Sequence, residues 1–281
     1  MRKLFFTLGF FLFVFGLSAE QSAWSAVLPY SVRGYAAVAD ESAWSPFQNP
    51  ATLGYISPVG EASIFYSNRF MLNEYAAKGG QAGLATKYVN VGAALSHYGY
   101  SQYSEMLLGA SLARAFSDKW ALGMQFNYYS VMLSPEAGSR GTLLVQIGLL
   151  LKPLEHLTIG FQAFNPIQSK IADLSLAKNA PAVYSLGGSY QFGDSFRWNL
   201  QLDKEVRSQL LGSTTFSYQV IKQLQVRVGG YVSPFVPLFG VGTHLQNFEL
   251  NVNAEIHPTM GVSLAGALTY RLPAKNKAIT N

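Results

Sequence analysis

Phe248-Glu249-Leu250-Asn251-Val252-Asn253-Ala254-Glu255-Ile256-His257 alternates apolar and polar side chains with a period of two. An extended strand turns successive side chains to opposite faces. Phe248, Leu250, Val252, Ala254 and Ile256 therefore share one face, and Glu249, Asn251, Asn253 and Glu255 the other.

The same period recurs upstream. Leu122, Met124, Phe126 and Tyr128 alternate with Gly123, Gln125, Asn127 and Tyr129. Leu157, Ile159, Phe161 and Ala163 alternate with Thr158, Gly160 and Gln162. Phe196, Trp198, Leu200 and Leu202 alternate with Arg197, Asn199, Gln201 and Asp203, and Leu224, Val226 and Val228 with Gln225, Arg227 and Gly229. The pattern predicts strands over 60–69, 80–87, 89–98, 104–116, 119–131, 141–152, 156–165, 181–192, 195–205, 210–220, 223–232, 236–245, 247–257 and 260–272. That is about 14 strands, an even number, as single-chain bacterial barrels have.

A soluble β-sandwich also alternates, so the choice rests on other features. These strands run about 10 residues, the length of a tilted spanning strand, against about 5–6 in globular sheets. Short turns (117–119, 153–155, 193–194, 221–222, 246–247) alternate with longer connections (70–79, 99–103, 132–140, 166–180) through residue 205. Aromatics such as Trp120, Tyr128, Tyr129, Phe192 and Phe196 fall near strand ends, as an interfacial girdle requires. The expected fold is all-β, a transmembrane antiparallel β-barrel, with its apolar face toward lipid and its polar face inward. Arg114, on the apolar face, is expected near an interface and not at mid-depth.

Composition agrees. Charged residues are 12% and aromatics 14%, with 26 glycines, whereas soluble domains average roughly 25% charged. The absence of cysteine excludes disulfides and thiolate metal sites. The net charge of +5 is carried by scattered basic residues, which leaves no nucleic-acid footprint. Arg2 and Lys3, the apolar run 4–17 and Ser18-Ala19 read as a signal peptide over 1–19. Export in a Gram-negative cell permits the outer membrane, where only closed barrels satisfy every backbone group. With an even strand count and short turns inside, both termini are expected in the periplasm, including a tail over 273–281.

Residues 20–59 do not alternate and are rich in small, turn-forming residues. They are expected to form a periplasmic, hatch-like segment folded into the mouth of a barrel over 60–272. Arg33-Gly34, the Ala-rich stretch ending at Asp40, Trp44, Asn49-Pro50-Ala51 and Leu53-Gly54 together resemble the PorV/PorQ proteins of Bacteroidetes, within the wider FadL-like barrels. The resemblance implies one of two non-enzymatic roles. PorV/PorQ-like barrels support type IX protein secretion and surface attachment, which implies secretion-system components or exported proteins as partners. FadL-like barrels transport hydrophobic small molecules, which implies a hydrophobic ligand. A passive porin is a third, weaker reading. The hatch motif on this reading is Asn49, Pro50, Ala51, Leu53 and Gly54; a plain turn entering the first strand explains the same residues.

No catalytic or cofactor chemistry is legible. His97, His156, His244 and His257 lie far apart with no metal-ligand spacing, and there is no nucleophile elbow or phosphate loop. The expectation is no enzyme, no cofactor, and outer-membrane lipid as the surrounding partner. Arg197, Asp203, Arg227, Glu249, Glu255 and Arg271 fall on the inward polar face. Buried charges must pair or be hydrated, so a structural ladder is favoured over a selectivity filter.

Overall fold

The structure is a computed structural model. It describes residues 36–40, 45–56, 59–136, 138–171, 180–206, 208–232 and 235–273. The signal peptide, Arg33-Gly34, Trp44 and the tail from residue 274 lie outside them.

Fourteen strands follow in chain order: β1 (Gly60–Asn68), β2 (Ala76–Leu84), β3 (Asn90–Gly99), β4 (Ser104–Ala115), β5 (Trp120–Met132), β6 (Ser139–Leu154), β7 (Leu157–Phe164), β8 (Val183–Phe192), β9 (Phe196–Glu205), β10 (Leu210–Ile221), β11 (Leu224–Tyr231), β12 (Val236–Leu245), β13 (Phe248–His257) and β14 (Gly261–Arg271). Each pairs antiparallel with its chain neighbours, and β14 pairs with β1, so the sheet is a closed barrel. Closure leaves no row of unpaired N–H and C=O groups, the condition for a sheet in hydrocarbon.

The two faces have opposite chemistry. Leu122, Met124, Phe126 and Tyr128 are exposed on the outside of β5, while Gln125, Asn127 and Tyr129 are buried inside. On β13, Phe248, Leu250, Val252 and Ile256 point out, and Glu249, Asn251, Asn253 and Glu255 are buried. The apolar faces do not meet in a dry core. A sandwich would bury them, whereas here lipid is the solvent for which they are suited.

The connections sort by end. Those over 85–89, 116–119, 155–156, 193–195, 222–223 and 246–247 make a turn end, where β1 begins and β14 finishes. Those over 69–75, 100–103, 133–138, 165–182, 206–209, 232–235 and 258–260 make a loop end. Aromatics ring the outside of the turn end: Phe116 stacks on Trp120 with centroids 4.2 Å apart, and Trp198 on Phe216 at 6.0 Å. Arg114 lies there too, its guanidinium 5.7 Å from the Phe116 ring centre. Such a position lets the cation snorkel to the interface.

Two boundaries differ from the sequence reading. The second strand is Ala76–Leu84, four residues earlier than predicted. Gly79-Gly80 looks like a break, yet both lie within the ladder, with Gly79 facing Phe65 and Ser96. A Cβ on Gly79 would lie 2.0 Å from the Leu95 carbonyl oxygen, so here glycine marks close strand approach and not a turn. The turn is instead 85–89, closed by Thr86 Oγ1 donating to the Val89 carbonyl at 2.5 Å. Likewise β6 continues through Pro153 to Leu154. A register shift between Leu151 and Leu154 accommodates the proline's missing donor.

Candidate functional site

The lumen is occupied by the chain that precedes β1. Residues 45–48 form a helical turn and Pro50–Tyr55 a 3-10 turn, in which Pro50, Ala51, Thr52 and Leu53 are buried. Asn49 caps the second turn: its Oδ1 accepts from the Ala51 N–H at 3.0 Å. Its Nδ2 donates to the Val38 carbonyl at 2.8 Å and to the Leu149 carbonyl of β6 at 3.2 Å. One amide thus ties its own turn, the 36–40 segment and the barrel wall together. Pro50 stands at the first helical position, where an N–H has no partner to lose.

The wall makes room for this segment by lacking side chains. A Cβ on Gly148 would lie 2.1 Å from Asn49 Oδ1, and one on Gly123 2.3 Å from the Pro50 carbonyl carbon. Gly83 would meet Leu53 at 2.7 Å, Gly160 the Val38 carbonyl oxygen at 2.2 Å, and Gly187 Val38 Cγ1 at 2.6 Å. The glycines face one another across the ladder: Gly83 with Gly92, Gly123 with Gly148, and Gly160 with Gly187. Gly54 packs against Ala115 and Ala121 at the turn end.

Polar contacts complete the seat. The Val38 N–H donates to Gln201 Oε1 at 2.8 Å, and Asp40 pairs with Arg197 at 3.4 Å. Phe47 meets Phe65 edge to face at 5.9 Å. Lys152 lies over the Tyr55 ring at 3.8 Å.

The six inward charges occupy different levels. Arg197, half exposed, serves the Asp40 contact and Gln191. Arg271 donates to Glu249 at 2.7 Å and approaches Glu61 at 3.8 Å, and His244 lies 3.6 Å from Glu249. Arg227 contacts Asn251, Gln225 and Asn253. Asp203 accepts from Gln201 at 2.8 Å. Glu255 is buried on β13 toward the loop end. Uncharged amides extend the ladder: Gln146 donates to Gln162 at 2.7 Å, which donates to Ser185 at 3.1 Å.

Two features escaped the sequence reading. The first is the set of facing glycines. The second is Glu105, buried near the loop end of β4, which accepts from Tyr103 and, at 2.5 Å, from Tyr129. Its alternation with Met106 and Leu108 was the available signal. Val131, directly opposite Glu105, belongs with Leu107, Leu144, Phe164, Ile171 and Leu238 to an apolar cluster inside the barrel. Among the described residues, no group of three or more His, Asp or Glu side chains could hold a metal ion, and the four histidines do not converge.

No family model matches the chain, and no curated protein matches it. Solved structures do. The CymD monoaromatic hydrocarbon channel superposes with a TM-score of 0.67 at 12% identity, covering 90% of this chain and 100% of that one. The chain has the fold of the hydrocarbon-channel barrels. A FadL homologue from Pseudomonas aeruginosa gives a TM-score of 0.58 at 11% identity, covering 87% of this chain and 98% of its own. The Pseudomonas putida toluene transporter TodX gives 0.57 at 11%, covering 88% and 96%. These likenesses concern the FadL-like barrel; none of the three is a PorV/PorQ protein.

Proposed function

We propose that this protein is an outer-membrane channel for hydrophobic small molecules and that the segment through Tyr55 is its hatch. The observation that carries this is the docking of that segment inside the closed barrel: it is held by hydrogen bonds, the Asp40–Arg197 ion pair and small-residue packing, all reversible contacts. The similar solved structures, described as hydrocarbon channels and a toluene transporter, support the same reading. The turn end, where β1 begins and β14 finishes, is then the periplasmic end, since short turns belong there. The apolar cluster toward the loop end is the part of the lumen suited to an apolar passenger.

A reversible tether tests it. The chain has no cysteine. A Cβ on Gly187 would lie 2.6 Å from Val38 Cγ1, so Val38→Cys with Gly187→Cys brings two sulfurs within disulfide reach. Cells carrying this variant in the outer membrane should take up a labelled hydrophobic compound when the disulfide is reduced and lose that uptake when it is oxidised. Uptake no greater than in cells without the protein sinks the reading. The secretion-linked alternative draws on the Asn49-Pro50-Ala51 resemblance. It requires secretion components or exported proteins to co-purify with the detergent-extracted barrel.

A further inference from the structure

The lumen is polarised along its axis. Its inward arginines on the strands, Arg197, Arg227 and Arg271, lie in the turn-end half of β9, β11 and β14. There carboxylates accompany them, Glu249 and Glu61 beside Arg271 and Asp40 beside Arg197, whereas the loop-end half of the strands carries the buried carboxyl groups of Glu105 on β4, Asp203 on β9 and Glu255 on β13, each at least nine-tenths buried. Glu105 stands directly opposite Val131 and Glu255 directly opposite Leu238, both of the apolar cluster, and Asp203 stands opposite Ser185, two positions from Val183 of the same cluster. Tyr129 donates to Glu105 at 2.5 Å, and Tyr231, packed against the cluster, stands opposite Ser213 of β10. Arg69 lies at the same end, in the β1–β2 connection.

A second observation points to a ligand head group. Ser213 and Thr215 turn inward on β10, fully buried, and neither hydroxyl oxygen has a hydrogen-bond partner. Ser213 stands directly opposite Gln201 on one side and Tyr231 on the other, beside the Asp203 level. Buried hydroxyls are ordinarily satisfied, so this stretch of wall has hydrogen-bonding capacity to spare, next to an apolar surface.

We infer that the passenger of this lumen is an apolar molecule bearing a hydroxyl or amine head group and not a carboxylate. The inference rests on the channel reading above and names its substrate class. An alcohol or amine can donate to the carboxyls and reach the free hydroxyls of β10. A carboxylate can accept from Ser213, Thr215 and Tyr231, but it meets acidic groups on three strands. At neutral pH it must either face like charge or take up a proton, and both are unfavourable in a buried site.

Calorimetric titration of the detergent-solubilised full chain with 1-octanol, octylamine and octanoate, corrected for empty micelles, tests this. The alcohol and the amine should bind at least about tenfold more tightly than octanoate. The gap should shrink in the variant Asp203→Asn with Glu255→Gln, its folding checked by the heat-dependent gel shift of intact barrels. Octanoate binding as tightly as octanol overturns this inference and leaves the channel reading standing. An unchanged gap in the folded variant also overturns it. Binding by none of the three removes the channel reading and this inference together.

Discussion

Gly123 of β5 and Gly148 of β6 stand directly opposite each other, and the Asn49-Pro50-Ala51 turn fills the space their missing side chains leave. Gly148→Ala places a methyl group where Asn49 Oδ1 now lies, 2.1 Å away. Overpacking of this kind costs about 1–3 kcal/mol. Here the cost falls on docking of the segment and not on the ladder. Limited proteolysis should cut residues 36–56 faster in the variant, while the barrel keeps its heat-dependent gel shift.

Asn49 uses both halves of its amide, accepting from Ala51 and donating to Val38 and Leu149. Asn49→Ala leaves buried backbone groups without partners, at about 1–3 kcal/mol. Asn49→Asp keeps the acceptor but turns a carboxylate toward two carbonyl oxygens. Hydrogen exchange of the segment should therefore rank native slowest, then Ala, then Asp fastest. Asp behaving like the native residue would show that the donor side is idle.

Val252 faces outward midway along β13, and Asn251 beside it faces inward. Val252→Arg should destabilise the barrel by about 2–4 kcal/mol in bilayers, the cost of arginine near the midplane. Phe248→Arg, at the turn-end girdle, should cost about 0–1 kcal/mol. Urea unfolding from vesicles measures both. Equal costs would mean that the two positions do not differ in membrane depth.

Glu249 is buried, with Arg271 at 2.7 Å and Asn251 at 2.9 Å. Arg271 is itself 42% exposed, so the net worth of the pair is modest. Removing it still takes a charged donor from a buried acid, and Arg271→Met should cost about 1–3 kcal/mol. Adding Glu249→Gln should restore part of that loss. A double-mutant cycle reads the coupling directly; a cycle that closes to zero would show no interaction.

The strands were legible because period-two alternation records two different solvents, lipid outside and a packed polar lumen inside. Phe248 to His257 could be assigned to a face residue by residue for that reason. Gly79-Gly80 misled because a glycine pair reads the same in a turn and at a close strand approach; only the position of the Leu95 carbonyl separates the two. Pro153 misled similarly, since the register shift that admits it depends on β7. The seat for Asn49 was hidden for another reason. Gly123 and Gly148 lie on separate strands, and only their register shows that one face-to-face gap was made for one turn. Glu105 was visible in its alternation, but its tyrosine partner Tyr129 lies 24 positions away.

Each strand of this wall pairs with its chain neighbour except at one seam, where Glu61 to Asn68 of β1 meet Leu264 to Arg271 of β14. Thirteen of the fourteen interfaces can therefore form progressively as the polypeptide is delivered, while the last waits for the C-terminal strand. The segment before β1 precedes every wall residue it touches. Its enclosure is thus an event of biogenesis: it is caught as the seam shuts, or it slides in afterwards from the turn end. A chain truncated before Gly261 loses the means of shutting and exposes two raw edges, and quality-control proteases of the envelope should clear it.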